Sequence, residues 1–379
     1  MINRVLIYDP VPFKGGSKKV MKTIVAELPR NIEVWVISND RASWSDNGDD
    51  CDNRNIHFVP LFSPRYLQNK TTGILYFIKH FIYLLSLIAN MMKLKRFSKI
   101  IGFSGPNVDF SLYLLTELIN IDIIQLIQGD IAHSNVAGFG LARAKKVFYL
   151  PSTLASILHA LKSYPSNRFH NQNMADDKYM PFVNGIDCTT IKVKKTEDKP
   201  KDKIGFLWAA SLLKWKRIEL FISAMAELNG TSRDVDKYFA SVCYIEPQTD
   251  AYVDINSFDK VENIHWYADP KNLNDIRANS SVFISTSEDE PFGLSILEAM
   301  AAGLAIVIPA DNAYWDQHLT HGFDCVKYDP NNMDSLVQAL TRLMEEPVFL
   351  QKISQQGKNS AQQYCHLQSY SQILKCIPN

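Results

Sequence analysis

Only six cysteines stand among 379 residues: Cys51, Cys188, Cys243, Cys325, Cys365 and Cys376. No two form a C-x-x-C pair and none joins a histidine at zinc spacing, which argues against a zinc module or a disulfide-stapled fold. Charge of one sign is not in excess either, since 40 Lys plus Arg balance 40 Asp plus Glu. A general nucleic-acid binder would carry a basic surplus, so that class is set aside. The opening MINRVLIYDP lacks the charged stretch and long apolar run of a secretory leader and reads as a buried strand and a turn. The expectation is a reducing, cytoplasmic setting. Internal repeats are also lacking.

What is present is enough apolar material, 46% of the chain, for two domains of ordinary size. Short apolar runs (RVLIYD 4–9, IEVWVIS 32–38, IHFVP 56–60, KIIGFS 99–104, DIIQLIQ 122–128, KVFYLP 146–151) alternate with helical patterns or turn signals in the first half. A polar loop occupies 39–55. A second series runs from KIGFLWAAS (203–211) through SVFISTS (281–287) and AIVIPA (305–310) to CVKYD (325–329). Alternation of strands and helices predicts parallel sheets covered on both faces. Between the halves, KVKKTEDKPKDK (192–203) has linker composition. The expected organisation is a Rossmann-like domain at 1–187, a linker at 188–203, a second Rossmann-like domain at 204–354, and a helical segment at 355–379 that returns to the first domain. The sheets are expected to face a central cleft, the default ligand site at their carboxyl ends.

GILYFIKHFIYLLSLIANMMKL (73–94) has about the length of a membrane span. Its polar residues, Tyr76, Lys79, His80, Tyr83, Ser86, Asn90 and Lys93, recur at helical spacing and share one face. Phe77, Phe81, Leu84, Leu85, Ile88 and Met92 lie opposite. The segment therefore reads as an amphipathic helix rather than a span. Two readings stand: a helix packed on a sheet, or a peripheral membrane contact through 73–99, helped by Lys93, Lys95, Arg96 and Lys99.

The strongest chemical signal is SVFISTSEDEPFGLSILEAMAAGLAIVIPA (281–310), read as strand, loop, helix, strand. A helix N-terminus there offers free N–H groups and partial positive charge to an anion. Gly293 allows close approach of a phosphate to the backbone, while Glu290 in the loop and Glu298 in the helix flank the anion position. A second strand–loop–helix, LWAASLLKWKRIELFISAMAEL (207–228), puts Lys214, Lys216 and Arg217 where they could clamp a diphosphate. In the first half, PVPFKGGSKKVM (10–21) sets Gly15 and Gly16 between the first strand and a helix, either an ordinary turn or a loop that approaches a ligand. Asp50-x-Asp52 and Asp234-x-Asp236 have metal-binding spacing, but neither follows an apolar strand. Both read as solvated loop charge, and no metal is expected.

Taken together, the GG loop, V-N-G-I-D (183–187), K-R-I-E-L (216–220), N-I-H-W-Y (263–267) and the E-x7-E element from Glu290 to Glu298 resemble the retaining GT-B glycosyltransferases of family 4, common in bacterial surface-polysaccharide synthesis. The resemblance implies an α/β GT-B fold and transfer of a sugar from a UDP- or GDP-linked donor to a glycan or lipid-linked acceptor, without a cofactor. It implies that Glu298 binds the donor ribose. Glu290, with backbone groups of Phe292, Gly293 and Leu294, would hold the donor sugar and diphosphate, and Lys216 would contact the diphosphate. Two positions depart from the family: Ser211 stands where an arginine is usual, with Lys214 or Arg217 as substitutes, and Arg217 replaces a glycine. Acceptor-side candidates are Gln128, Asp130 and His133. Two other readings stay open, a sugar-nucleotide epimerase of the same architecture and a catalytically silent donor-binding subunit.

Overall fold

The computed structural model describes residues 3–44, 56–94, 97–164, 177–192, 203–231, 237–247, 252–258 and 261–377. Most of the charged linker, part of the polar loop, Cys51, Lys95, Arg96 and both D-x-D sequences lie outside the described residues. The chain divides into two compact units, one of Met1–Gly185 with His366–Asn379 and one of Ile186–Cys365.

The first unit is built on a seven-stranded parallel sheet: β1 (Asn3–Asp9), β2 (Ile32–Ser38), β3 (Ile56–Pro60), β4 (Lys99–Gly102), β5 (Asp122–Ile127), β6 (Lys146–Tyr149) and β7 (Tyr179–Pro181). Their spatial order is β3-β2-β1-β4-β5-β6-β7. The chain walks outward from β1 and then returns past it, so the order reverses between β1 and β4. Val5, Leu6, Ile7 and Tyr8 of β1 are all buried, as expected of a strand covered on both faces. Among the described residues, the strands are connected by helices α1 (Gly16–Glu27), α2 (Arg65–Gln68), α3 (Gly73–Lys93), α4 (Phe110–Leu115), α5 (Asn135–Arg143) and α6 (Leu154–Ser163).

The second unit repeats the plan with β8 (Ile204–Ser211), β9 (Tyr238–Ile245), β10 (Ile264–Ala268), β11 (Val282–Ile284), β12 (Ala305–Pro309) and β13 (Val326–Tyr328). Its parallel order is β10-β9-β8-β11-β12-β13, reversing between β8 and β11. Helices α7 (Ile218–Thr231), α8 (Leu273–Asn279), α9 (Leu294–Ala301), α10 (Tyr314–His318), α11 (Met333–Glu345) and α12 (Pro347–Ala361) complete it. Because α12 packs on α9 and β12, the chain leaves this unit at Cys365, not at 355.

The last helices, α13 (His366–Ser369) and α14 (Ser371–Cys376), belong to the first unit. Tyr370, fully buried, donates its hydroxyl to the Gly185 carbonyl at 2.9 Å and accepts from the Gly185 N–H at 3.0 Å. Lys99 Nζ donates to the Cys376 carbonyl at 2.6 Å. Lys99 is thus a strand residue that anchors the C-terminal helix, and it drops out of the basic cluster expected after residue 93.

Helix α3 is oriented opposite to what its composition suggests. Tyr76, Lys79, His80 and Tyr83 are buried along with Leu84 and Leu87, while Phe77, Phe81, Leu85 and Met92 are exposed. Hydrogen bonding explains the inversion. The Tyr76 hydroxyl donates to the Asn107 carbonyl, and Lys79 Nζ donates to the carbonyls of Gln68 and Lys70. Ser86 accepts the Phe62 N–H and Asn90 donates to the Pro60 carbonyl. His80 packs on the Phe110 ring, centroids 5.5 Å apart. The polar face carries large aromatic and aliphatic bodies, and the tips of Tyr76, Lys79, Ser86 and Asn90 find partners inside, so it can serve as the packing face.

Candidate active site

Both arms of the expected donor site arise at the reversal of the second sheet, outside the carboxyl ends of β8 and β11, where open parallel sheets bind ligands. Beyond β8 the chain makes a short 3-10 turn at Lys214–Lys216, then passes through Arg217 in left-handed conformation (φ 49°) into α7. Beyond β11, Ser285, Thr286 and Ser287 are buried and the loop leads through Glu290 and Phe292 to α9.

Thr286 ties the two arms together. Its hydroxyl accepts from Trp208 Nε1 at 3.0 Å and donates to the Lys216 carbonyl at 2.7 Å. The Glu288 N–H donates to the Trp215 carbonyl at 2.8 Å. On this frame Lys216 Nζ forms an ion pair with Glu290 Oε2, both side chains about one-seventh accessible (13% and 14%). The Lys216 ammonium also sits 3.8 Å from the Trp215 ring centroid. A small pocket opens beside the pair, lined by Ser285, Ser287, Glu290, Ile296, Asp311 and Trp315. Burial raises the Asp311 carboxyl above its ordinary range.

Phe292 is 2% exposed and packs against Tyr314 and Trp315, with ring centroids at 4.8 and 5.2 Å. Its side chain anchors the loop and leaves only its backbone to meet a ligand. Gly293 caps α9 at φ 78°, and its carbonyl accepts from Trp315 Nε1 at 3.3 Å. Here glycine is required: an added Cβ would lie 2.9 Å from Ile296 Cδ1 and 3.1 Å from Glu290 Cγ. Leu294 opens the helix. Ser211, half-buried, ends β8, while Lys214 is exposed.

Glu298 is buried, 3% exposed, and Arg277 Nη2 donates to its Oε2 at 2.5 Å. The guanidinium, itself 1% exposed, is held by Asn274 Oδ1 at 2.6 Å. Sequence reasoning missed Arg277. It sits in the short helix α8, and the 21 positions separating it from Glu298 hide the pairing from any local pattern.

In the first unit, Gly15 and Gly16 are exposed at the start of α1. Gly15 is extended (φ −171°) with open space around it, so its conformation does not demand glycine. Gln128, after β5, reaches the Ser17 carbonyl at 3.5 Å and so lies beside this loop. Asp130 is exposed, and exposed His133 meets the His159 ring at 4.7 Å. Two buried networks at the reversal of this sheet had no sequence signal. Lys18 Nζ is 3.0 Å from Asp9 Oδ2, with Ser38 and Trp44 also bonded to that carboxylate. Asp109 Oδ2 accepts from the Ser104 N–H at 3.0 Å and from Gln125 Nε2 at 2.9 Å. Only glycine fits at 102, since a Cβ would come within 2.8 Å of Asp109 Oδ2.

Among the described residues, no group of three or more His, Cys, Asp or Glu is placed to hold a metal ion.

Comparison with solved structures identifies the architecture. The Anabaena protein Alr3699/HepE, crystallised with UDP and glucose, superposes with a TM-score of 0.73 over 99% of each chain at 13% identity. WaaG, a glycosyltransferase involved in lipopolysaccharide biosynthesis, gives 0.68 over 99% of each chain at 12% identity. The fold is GT-B. Within this GT-B chain, residues 190–360, all inside the second unit, match the family described as Glycosyl transferases group 1. A probable sucrose-phosphate synthase 1 from Craterostigma plantagineum is 34% identical over 103 residues, 26% of this chain. That match spans 10% of the plant protein's length.

Proposed function

We propose that this chain is a retaining glycosyltransferase of the family 4 type, moving a sugar from a UDP- or GDP-linked donor to a hydroxyl of a glycan or lipid-linked acceptor. The observation that carries the reading is the Lys216–Glu290 pair, set at the reversal of the second sheet beside the Gly293-capped start of α9. In this reading the donor diphosphate takes Lys216 from Glu290 and lies on backbone N–H groups near Phe292, Gly293 and Leu294. Glu290, released, turns to hydroxyls of the transferred sugar, and Glu298, held by Arg277, accepts from the ribose. The lysine and the helix terminus stabilise charge on the departing nucleotide without a metal ion. Gln128, Asp130 and His133, outside the carboxyl end of β5, are the acceptor-side candidates. The family match across 190–360 and the UDP-bound Anabaena relative support the donor assignment. WaaG's role supports a place in surface-polysaccharide synthesis, on the cytoplasmic side where the donor is made.

Ser211, where the resembling family carries arginine, favours a second reading, a silent donor-binding subunit. A thermal-shift screen with UDP-, GDP- and ADP-sugars, followed by nucleotide-release assays with glycan and lipid acceptors, tests both. A ligand bound only by the folded state raises its apparent stability. Stabilisation by a UDP- or GDP-sugar with acceptor-dependent release supports the transferase. Stabilisation without release supports the silent subunit, and isomerised donor in the absence of acceptor supports an epimerase.

A further inference from the structure

The exposed face of α3 has no counterpart in the catalytic reading. Ile74 (77% exposed), Phe77 (52%), Ile78, Phe81 (57%), Leu85 and Met92 (83%) recur at three-, four- and seven-residue steps along the whole helix. At 1.5 Å per residue they form an apolar stripe about 27 Å long. Phe62 and Tyr66, at the neighbouring α2, are also largely exposed. An apolar area of this extent on a soluble surface marks an interaction site. Exposed Arg65 stands alongside α3 between the levels of Tyr83 and Lys79, exposed Lys70 three residues before the helix begins, and exposed Lys93 at its far end. No Asp or Glu occurs anywhere between Asp52 and Asp109, an interval holding eight Lys and Arg. For a chain of zero net charge, this is a marked local separation of sign.

We infer that α3 is a membrane-docking helix, lying flat in the headgroup region of an anionic bilayer with Phe77, Phe81 and Leu85 turned into the acyl chains. The helix is long and apolar enough to cross a membrane, but its inner face rules out spanning. Lys79 is held by two carbonyls within its own domain, and neither ring nitrogen of buried His80 has a partner among the described residues. A span would present that lysine to lipid and strip its packing. In-plane docking keeps every inward bond and covers only the outward stripe, to a depth of about 5–10 Å. Charge selects lipid over a second copy of this chain. A self-docked face would set Arg65, Lys70 and Lys93 against their own kind, whereas anionic headgroups complement them.

The experiment is flotation of the full chain with phosphatidylglycerol-containing vesicles and with pure phosphatidylcholine vesicles, alongside sedimentation velocity without lipid. The wild type is expected to float with the anionic vesicles and less as salt rises. Phe77→Glu with Phe81→Glu should cut the bound fraction by about tenfold or more while keeping a cooperative thermal unfolding transition, because each side chain is already about half exposed. Val348→Glu with Leu367→Glu, at exposed apolar positions elsewhere, should float like the wild type. Introducing Phe81→Trp gives a second readout, a vesicle-dependent blue shift in the emission difference from wild type. Failure to float at low salt, full flotation of the Phe77/Phe81 variant, or a lipid-free dimer dissolved by that variant would each overturn the proposal. None of these outcomes depends on catalysis.

Discussion

Lys216 and Glu290, 74 positions apart, meet as an ion pair because Thr286 and Trp215 lock the loops after β8 and β11 to each other. Each side chain satisfies the other until an anion competes for the lysine. Lys216→Ala therefore removes a phosphate contact and also leaves Glu290's charge facing the donor diphosphate. One charge-assisted contact is worth about 1.5–3 kcal/mol, so donor affinity should fall by at least tenfold with the fold intact. Isothermal titration with the donor checks this, and unchanged affinity would remove the loop from the site.

Arg277 and Glu298 are a buried pair in which neither partner tolerates solitude. Arg277→Met should destabilise the protein by about 3–5 kcal/mol, the cost typical of breaking such a pair from one side. Adding Glu298→Gln should recover much of that loss, because the stranded charge is gone. Urea unfolding of the single and double variants reads both effects.

Arg217 adopts φ 49°, a region that costs a residue with a Cβ about 1–2 kcal/mol. Glycine relieves the strain but loses roughly 0.5–1 kcal/mol to unfolded-state entropy. Arg217→Gly should thus stabilise the chain by about 0.5–1 kcal/mol, seen as a higher urea midpoint at unchanged slope.

Burial pushes the Asp109 carboxyl up to about 7. Its contribution to stability is complete below the unfolded-state value near 4 and drains away as pH rises towards 7, because the unfolded chain ionises first. Relative to Asp109→Asn, the wild type should lose about 3–4 kcal/mol between pH 4 and pH 8. Parallel stability profiles would show that Asp109 does not titrate in this window.

The fold was legible because buried parallel strands are continuous apolar runs. β1, β8 and β12 read directly, as did the strand–loop–helix around Glu290. What stayed hidden were pairings made by tertiary structure alone. Arg277 looks like a surface residue of a short helix until Glu298 arrives beside it. Lys18 looks like half of an ordinary Lys-Lys step until Asp9 and Ser43 meet it. On α3 the pattern separated most of the two faces but did not show which one turns inward, and it misplaced Leu84 and Ile88, which pack inside, and Lys93, which is exposed. Tyr76, Lys79 and His80 carry polar atoms, and only the carbonyls of Gln68, Lys70 and Asn107 make that face fit to bury.

The most direct test of the account separates Glu290 from Glu298. Binding of the free nucleotide and of the nucleotide sugar is measured by calorimetry for Glu290→Gln and Glu298→Gln, together with product formation. Glu298→Gln, whose amide oxygen can still accept from Arg277 and whose folding is checked by urea unfolding, should weaken both ligands, because it touches the ribose they share. Glu290→Gln should bind the bare nucleotide at least as tightly as the wild type, since it no longer competes for Lys216, yet lose turnover and discrimination among donor sugars, since its contacts strengthen only as the sugar is transferred. If both variants bind and turn over like the wild type, the Glu290–Glu298 spacing is coincidental and the glycosyltransferase assignment falls.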